Sequence, residues 1–207
     1  MGASPDPSGI VPATAENIRR AAARVRAGEL VVIPTETVYG VAARADDPAA
    51  LARLYAAKGR DEAKRIAYLA PGIGAVLAAG IRVDAAAERL AAAFWPGPLT
   101  LVLANGRGGW DGFRVPDHPA ALAWLRELDF LPAVTSANRS GEPAALTAAD
   151  AWAALAPHVA LVLDDGPVRG GRASTVAKVR AGGVEILRAG PIGAEALARA
   201  GGCPVRG

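Results

Sequence analysis

The apolar positions of the chain follow two rhythms. Leu30–Ile33, Leu99–Leu103, Leu131–Val134 and Val159–Leu163 are short, nearly continuous apolar runs rich in branched residues, the pattern of buried strands. Between them apolar residues recur at helical spacing, as with Ile18, Ala22 and Val25 over residues 15–27 and Leu51, Leu54 and Tyr55 over residues 49–57. The helix starts are signposted. Thr14 can cap the first helix and Gly28 stop it, and Asp47-Pro48 places a cap ahead of proline at the first helical position. Asp84 caps a helix ending near Trp95, and Thr147-Ala148-Ala149-Asp150 resembles a capping box opening a helix to Leu155. Further helices are expected over Pro119–Glu127 and Ala194–Ala200. Weaker strand patterns cover Val38–Ala42, Ile66–Leu69, Phe113–Val115, Ser174–Val179 and Val184–Leu187, the last two joined by a Gly-rich hairpin turn. This alternation predicts an α/β fold: a single domain with a twisted mixed parallel/antiparallel sheet flanked by helices. Residues 1–13, rich in proline and glycine, read as a mobile N-terminal arm ahead of one domain over residues 14–207.

Composition narrows the class. At 207 residues the chain suits one sizeable domain, and its 52% apolar content is inflated by alanine, with 5% aromatic residues. No stretch approaches the roughly 20 apolar residues of a membrane helix, and the N-terminus lacks the basic and apolar regions of a signal peptide. A cytoplasmic protein with no membrane attachment is expected. Cys203 stands alone, which excludes an internal disulfide and a cysteine zinc cluster, and His118 and His158 lie far apart without metal-ligand spacing. Both histidines read as structural or exposed. The net charge of +3 is compatible with an anionic ligand without demanding one.

The common nucleotide and nucleophile motifs are absent: no Gly-rich phosphate loop, dinucleotide fingerprint or nucleophile elbow occurs. Polar clusters instead fall at the ends of expected elements. Thr35-Glu36-Thr37-Val38-Tyr39 follows the strand at 30–33, and locally reads either as a solvated turn or as a site at a strand's carboxyl edge. Lys58-Gly59-Arg60 ends a helix, where basic residues also serve the helix dipole. Thr135-Ser136-Ala137-Asn138-Arg139-Ser140-Gly141 could cradle an anion or form a simple turn. Ser174-Thr175 opens one strand and Arg188 closes another. Their shared position at element ends favours a polyanion-binding crevice.

Seven collinear blocks then resemble one family. They are Pro34-Thr35-Glu36-Thr37-Val38-Tyr39-Gly40; Lys58-Gly59-Arg60; Phe94-Trp95-Pro96-Gly97-Pro98-Leu99-Thr100; Arg114-Val115-Pro116-Asp117-His118-Pro119; Ser136-Ala137-Asn138-Arg139-Ser140-Gly141-Glu142-Pro143; Ser174-Thr175-Val176; and Leu187-Arg188-Ala189-Gly190. In this order they resemble the YrdC-like family of L-threonylcarbamoyladenylate synthases, over roughly residues 15–193. The resemblance implies a reaction in which L-threonine and bicarbonate form a carbamate that attacks the α-phosphorus of ATP. Pyrophosphate leaves, and a threonylcarbamoyl transferase complex later moves the group to adenosine 37 of tRNAs. The short, single-domain form of the family is implied, since no room remains after Gly193 for the C-terminal domain of the long form.

The same resemblance assigns Lys58 and Arg60 to catalysis and, with Ser136, Asn138 and Arg188, to ATP binding. It assigns Thr35, Ser174 and Arg114 to threonine, and lets Glu36 partner the Tyr39 hydroxyl. Mg2+ is expected to accompany ATP, with no metal held by the protein itself. Two departures stand out. The prolines that usually follow the Lys-x-Arg element are replaced by a spacer that begins Asp61-Glu62, and Gly112-Phe113 precedes Arg114 in place of a small residue and threonine. Acidic groups beside phosphate binders weaken anion affinity. This leaves as an alternative an RNA-binding paralogue, contacting tRNA or double-stranded RNA, with weakened or altered synthase activity. A carbamoyl-phosphate-dependent relative would sit in a larger chain with zinc-binding cysteines.

Overall fold

A computed structural model describes residues 9–61 and 63–207, so Glu62 and most of the expected N-terminal arm lie outside the described residues. In chain order the elements are β1 (Ile10–Pro12), α1 (Ala15–Arg26), β2 (Leu30–Ile33), β3 (Gly40–Ala43), α2 (Pro48–Lys58), β4 (Ala67–Leu69), α3 (Ile73–Ala78) and α4 (Ala85–Phe94). There follow β5 (Leu99–Ala104), β6 (Trp110–Arg114), α5 (Pro119–Arg126), β7 (Ala133–Ser136), α6 (Ala148–Leu155), β8 (Val159–Asp164), β9 (Thr175–Arg180), β10 (Gly183–Arg188), α7 (Ala194–Gly201) and β11 (Val205–Arg206).

The helix starts form as their caps dictate. Thr14, Asp47 and Asp84 each accept a bond from a first-turn amide, and Thr147 and Asp150 close a reciprocal capping box. One expectation needs correction. Ile10–Pro12 is not part of a free arm but a strand parallel to β8, in register from Ile10 opposite Val162 to Pro12 opposite Asp164. At a sheet edge Pro12 costs no ladder bond, and Trp152 packs over Gly9, where a Cβ would fall 2.1 Å from its ring.

All the strands join one mixed sheet in the order β1-β8-β2-β3-β7-β4-β6-β5-β9-β10-β11. Its two halves are covered differently. Across β8, β2, β3 and β7 both faces are packed. Val31, Ile33, Leu161 and Leu163 meet α1 and α5 through Ile18, Val25, Trp124 and Leu125, while Leu30, Val32, Val41 and Val162 meet α2 and α6 through Leu54 and Leu155. This explains why these strands read as continuous apolar runs. Across β4, β6, β5 and β9 one face packs. Leu99, Leu101, Leu103, Phe113, Ala177 and Val179 bury against α3, α4 and α7 through Val76, Leu90 and Leu197. The alternate residues Thr100, Val102, Gly112, Val176 and Lys178 face the other way and floor a cavity of about 590 Å³.

Candidate functional site

The cavity lies where the doubly covered half of the sheet meets the singly covered half. Between β2 and β3 the chain turns through residues 34–39, and the Thr35 hydroxyl organises that turn. It donates to the Val38 carbonyl at 2.6 Å, accepts from the Thr37 and Val38 amides at 3.3 Å each, and lies 3.0 Å from the Thr37 hydroxyl. Thr35, Thr37 and Val38 all line the cavity. Antiparallel pairing sets Gly40 opposite Ser136 at the end of β7. A Cβ on Gly40 would fall 2.8 Å from Val134 Cγ1, so only glycine lets the two strands meet here without displacement.

The Lys58-Gly59-Arg60 element is divided by its glycine. Gly59 takes a left-handed conformation at φ 56° as the C-cap of α2, and the two cations part company. Arg60 lines the cavity, its guanidinium donating to the carbonyls of Lys64 at 3.3 Å and Arg65 at 3.0 Å. Lys58 is 2% exposed and does not line it. Its ammonium donates to the carbonyl oxygens of Ser136 at 2.5 Å and Asn138 at 2.6 Å and to Asn138 Oδ1 at 3.3 Å. Burial, then the field of Arg60, pushes its pKa down to about 8. Asn138 also stands behind the wall, donating to the carbonyls of Arg139 and Glu142. The structure therefore brings Thr35, Arg60, Arg114, Ser136, Ser174 and Arg188 to one cavity and places Lys58 and Asn138 in a layer that shapes the Ser136 edge.

On the far side, Arg188 at the end of β10 donates to the Ser174 carbonyl at 3.1 and 2.9 Å and to its hydroxyl at 3.1 Å; that hydroxyl lies 2.8 Å from Thr100 Oγ1. Burial of the guanidinium, then the positive fields of Arg114 and Arg60, hold the Arg188 pKa below its ordinary value. Close approach enforces this corner: a Cβ on Gly190 would fall 2.2 Å from the Thr175 amide nitrogen. Arg114 ends β6 with its Nε donating to the Gly97 carbonyl at 3.2 Å, inside the Trp95-Pro96-Gly97-Pro98 corner, and its Nη2 2.7 Å from Glu36 Oε1. This corrects the expected Glu36–Tyr39 pairing. The Tyr39 hydroxyl instead donates to the Gly166 carbonyl at 2.7 Å, lies 3.3 Å from Asp164 Oδ1, and is pushed up to about 12, chiefly by burial.

Both departures take on a location. Asp61 is exposed, accepts from the Ala63 amide at 2.9 Å and does not line the cavity. Phe113 faces the packed core, stacked on Tyr68 with ring centroids 5.4 Å apart, while Gly112 leaves the floor open beside Thr100 and Ala67.

Several cavity residues escaped the sequence reading. Thr100 is the one polar residue in the apolar run of β5, and Lys178 is the polar member of an alternating β9; each was a usable signal. Arg65 and Trp110 carried none. Arg65 donates to the Trp110 carbonyl at 2.8 Å and pairs with Asp111 at 2.9 Å, and the Lys178 ammonium lies 4.1 Å from the centre of the Trp110 ring. Among the described residues the charge balance of the lining is one-sided: Arg60, Arg65, Arg114, Lys178 and Arg188, with no aspartate or glutamate. Such a wall favours a ligand with several negative charges. Among the described residues no group of three or more His, Cys, Asp or Glu is placed to hold a metal ion, and no helix is long and apolar enough to cross a membrane.

Comparison with known proteins shows the family and the fold. The family described as Sua5_yciO_yrdC, telomere recombination, matches residues 23–190. A threonylcarbamoyl-AMP synthase of Chromohalobacter salexigens is 39% identical over 185 residues, covering 84% of this chain and 98% of that one. The synthase of Bacillus subtilis is 35% identical over 190 residues, 87% of this chain and 55% of that protein. The solved structure of Pyrococcus abyssi Sua5 complexed with L-threonine superposes with a TM-score of 0.85 at 31% identity, covering 95% of this chain and 61% of that one. Escherichia coli YciO, at 22% identity and a TM-score of 0.79, shares the fold.

Proposed function

The chain belongs to the Sua5/YciO/YrdC family, and on that premise we propose that it makes L-threonylcarbamoyladenylate from L-threonine, bicarbonate and ATP, the first step of tRNA threonylcarbamoyladenosine modification. The observation that carries the reading is the cavity lined, among the described residues, by four arginines and a lysine without a carboxylate, large enough for a nucleotide and a small amino acid together.

The threonine amine and bicarbonate combine to a carbamate with loss of water. A carbamate oxygen attacks the α-phosphorus, the bond from that phosphorus to the bridging oxygen breaks, and its electron pair leaves with pyrophosphate. Fixed cations are what such a step requires, because charge builds on the phosphoryl oxygens and on the leaving group. Arg60 and Arg188, both in the cavity lining and near enough for the charge of Arg60 to act on Arg188, hold the triphosphate, and Ser136 contacts the nucleotide. Lys58 and Asn138 support ATP binding by fixing the carbonyls around Ser136. Arg114 takes the threonine carboxylate, with Thr35 and Ser174 beside it. Magnesium arrives as part of the MgATP substrate. The product passes to the transferase complex that modifies tRNA, and the protein works in the cytoplasm.

The test is pyrophosphate release from ATP in bicarbonate buffer. Release that depends on threonine supports the synthase; release indifferent to threonine, or none, overturns it. In the same assay Arg60→Ala and Arg188→Ala each raise the ATP KM about tenfold or more, the loss of one charge-assisted contact worth ~1.5–3 kcal/mol. Wild-type kinetics in both variants would remove the triphosphate assignment.

A further inference from the structure

Among the described residues five buried side-chain polar atoms lack a hydrogen-bond partner, and four of them belong to residues that feel one another: Glu36 Oε1 and Oε2, Arg114 Nη2 in ion-pair contact with Glu36, and Nδ1 of His118, which lies within the field of Glu36. Buried polar atoms are nearly always satisfied, so their concentration in these interacting residues beside a binding cavity asks for an explanation. Glu36 Oε1 and Arg114 Nη2 are 2.7 Å apart yet not aligned as a hydrogen bond. A guanidinium and a carboxylate left to themselves form a bidentate fork. Here the second anchor of Arg114, the Gly97 carbonyl at its Nε, turns the guanidinium away from that fork. Arg114 lines the cavity and Glu36 does not, so the carboxylate acts on the cation from behind.

We propose that Glu36 is a positioning residue that balances and aims Arg114 toward the substrate carboxylate, and that His118 sets the acid limit of this pairing. The proposal rests on the synthase reading for the identity of that carboxylate. Without Glu36 a guanidinium whose side chain is 9% exposed would be an uncompensated buried charge. With it, the ion pair holds the arginine in place while leaving hydrogen-bonding capacity for an anion.

His118 caps α5 just past β6, with Nε2 3.6 Å from Asp165 Oδ2 beyond β8 and Nδ1 buried without a partner. Burial holds its pKa below the ordinary value, while Asp165, Glu36 from the β2–β3 turn, and Asp117 on its own segment pull the other way, in that order. At neutral pH the ring is uncharged and Glu36 serves Arg114 alone. On acidification the imidazolium becomes a second cation within the field of Glu36 and competes for it.

The experiment has an activity arm and a spectroscopic arm. Wild-type protein is first shown to release pyrophosphate in response to threonine; failure there sinks the synthase reading and leaves the pairing to the second arm. In Glu36→Gln the threonine KM rises about tenfold or more, as expected when an anchoring group is misplaced, while kcat and the ATP KM stay within a few-fold. Glu36→Asp, which keeps the charge, recovers part of the loss, and thermal unfolding confirms that both variants fold. The wild-type threonine KM rises on acidification below neutrality more steeply than in His118→Asn, in which only the titration of threonine and bicarbonate remains. In the second arm the two histidine rings are followed by NMR titration, with His118→Asn assigning them, and the pKa of His118 falls in Glu36→Gln because one carboxylate that raised it is gone. An unchanged threonine KM in Glu36→Gln, a parallel change in kcat and both KM values, or an unmoved His118 titration would each overturn the proposal.

Discussion

Lys58 shows how one residue can belong to a site without entering it. Its ammonium closes the space between the end of α2 and the strand end that carries Ser136, and the carbonyls it holds would otherwise face a buried gap. The charge is held at a cost. The folded-state pKa of about 8 lies below the ordinary 10.5, so between those values the folded protein has released a proton that the unfolded chain still binds. Stability contributed at this residue therefore increases as pH rises from 8 to 10.5. Relative to Lys58→Met, which cannot titrate, the wild type gains on the order of 3 kcal/mol across that window. Urea unfolding of both proteins at pH 7.5 and at pH 10.5 checks the sign, and a wild type that loses stability relative to Lys58→Met as pH rises contradicts it.

The elements explain what the sequence reveals and what it hides. Caps are local: Thr14, Asp47-Pro48, Asp84 and Thr147-Asp150 each mark a helix start because capping groups and the amides they serve lie within three residues. Strand pairing is not local, so β1 and β11 go unseen; each is short, lies at a sheet edge, and depends on a partner elsewhere in the chain, β8 for β1 and, beyond α7, β10 for β11. The short helix α3, opened by Gly72 without a side-chain cap, is hidden for want of a signal. The same division runs through the site. Thr35, Ser136 and Arg188 sit at legible strand ends, whereas the Glu36–Arg114 pair joins residues 78 positions apart that no spacing connects. At this scale Gly190 is the vulnerable link, because the segment after β10 crosses the start of β9 at backbone contact. Gly190→Ala should cost about 3 kcal/mol or more and raise the ATP KM by shifting Arg188 against Ser174. A wild-type melting temperature would show that the crossing is looser than drawn.

Across the whole molecule, one half of the sheet is a core with helices on both faces and the other is a floor with helices beneath it. Stability and binding should therefore separate along a single strand. In β5, Leu101→Ala removes a fully buried side chain and should cost ~2–5 kcal/mol, with KM values little changed. Thr100→Val, of equal size one position earlier, loses the contact with the Ser174 hydroxyl, should cost ~1 kcal/mol, and raises the threonine KM. Equal effects of the two substitutions on both properties would contradict the division of faces.

The floor has one more consequence. β5 is bonded along both edges, to β6 and to β9, so its backbone is locked by its neighbours whether or not the cavity above is filled. Its amides exchange with solvent only when the sheet opens, and a bound nucleotide adds little protection there. The imprint of a ligand in hydrogen exchange belongs to the rim: Arg60 and Arg65, Gly108 and Gly109, and Ala173. These cavity residues lie outside the strands and helices.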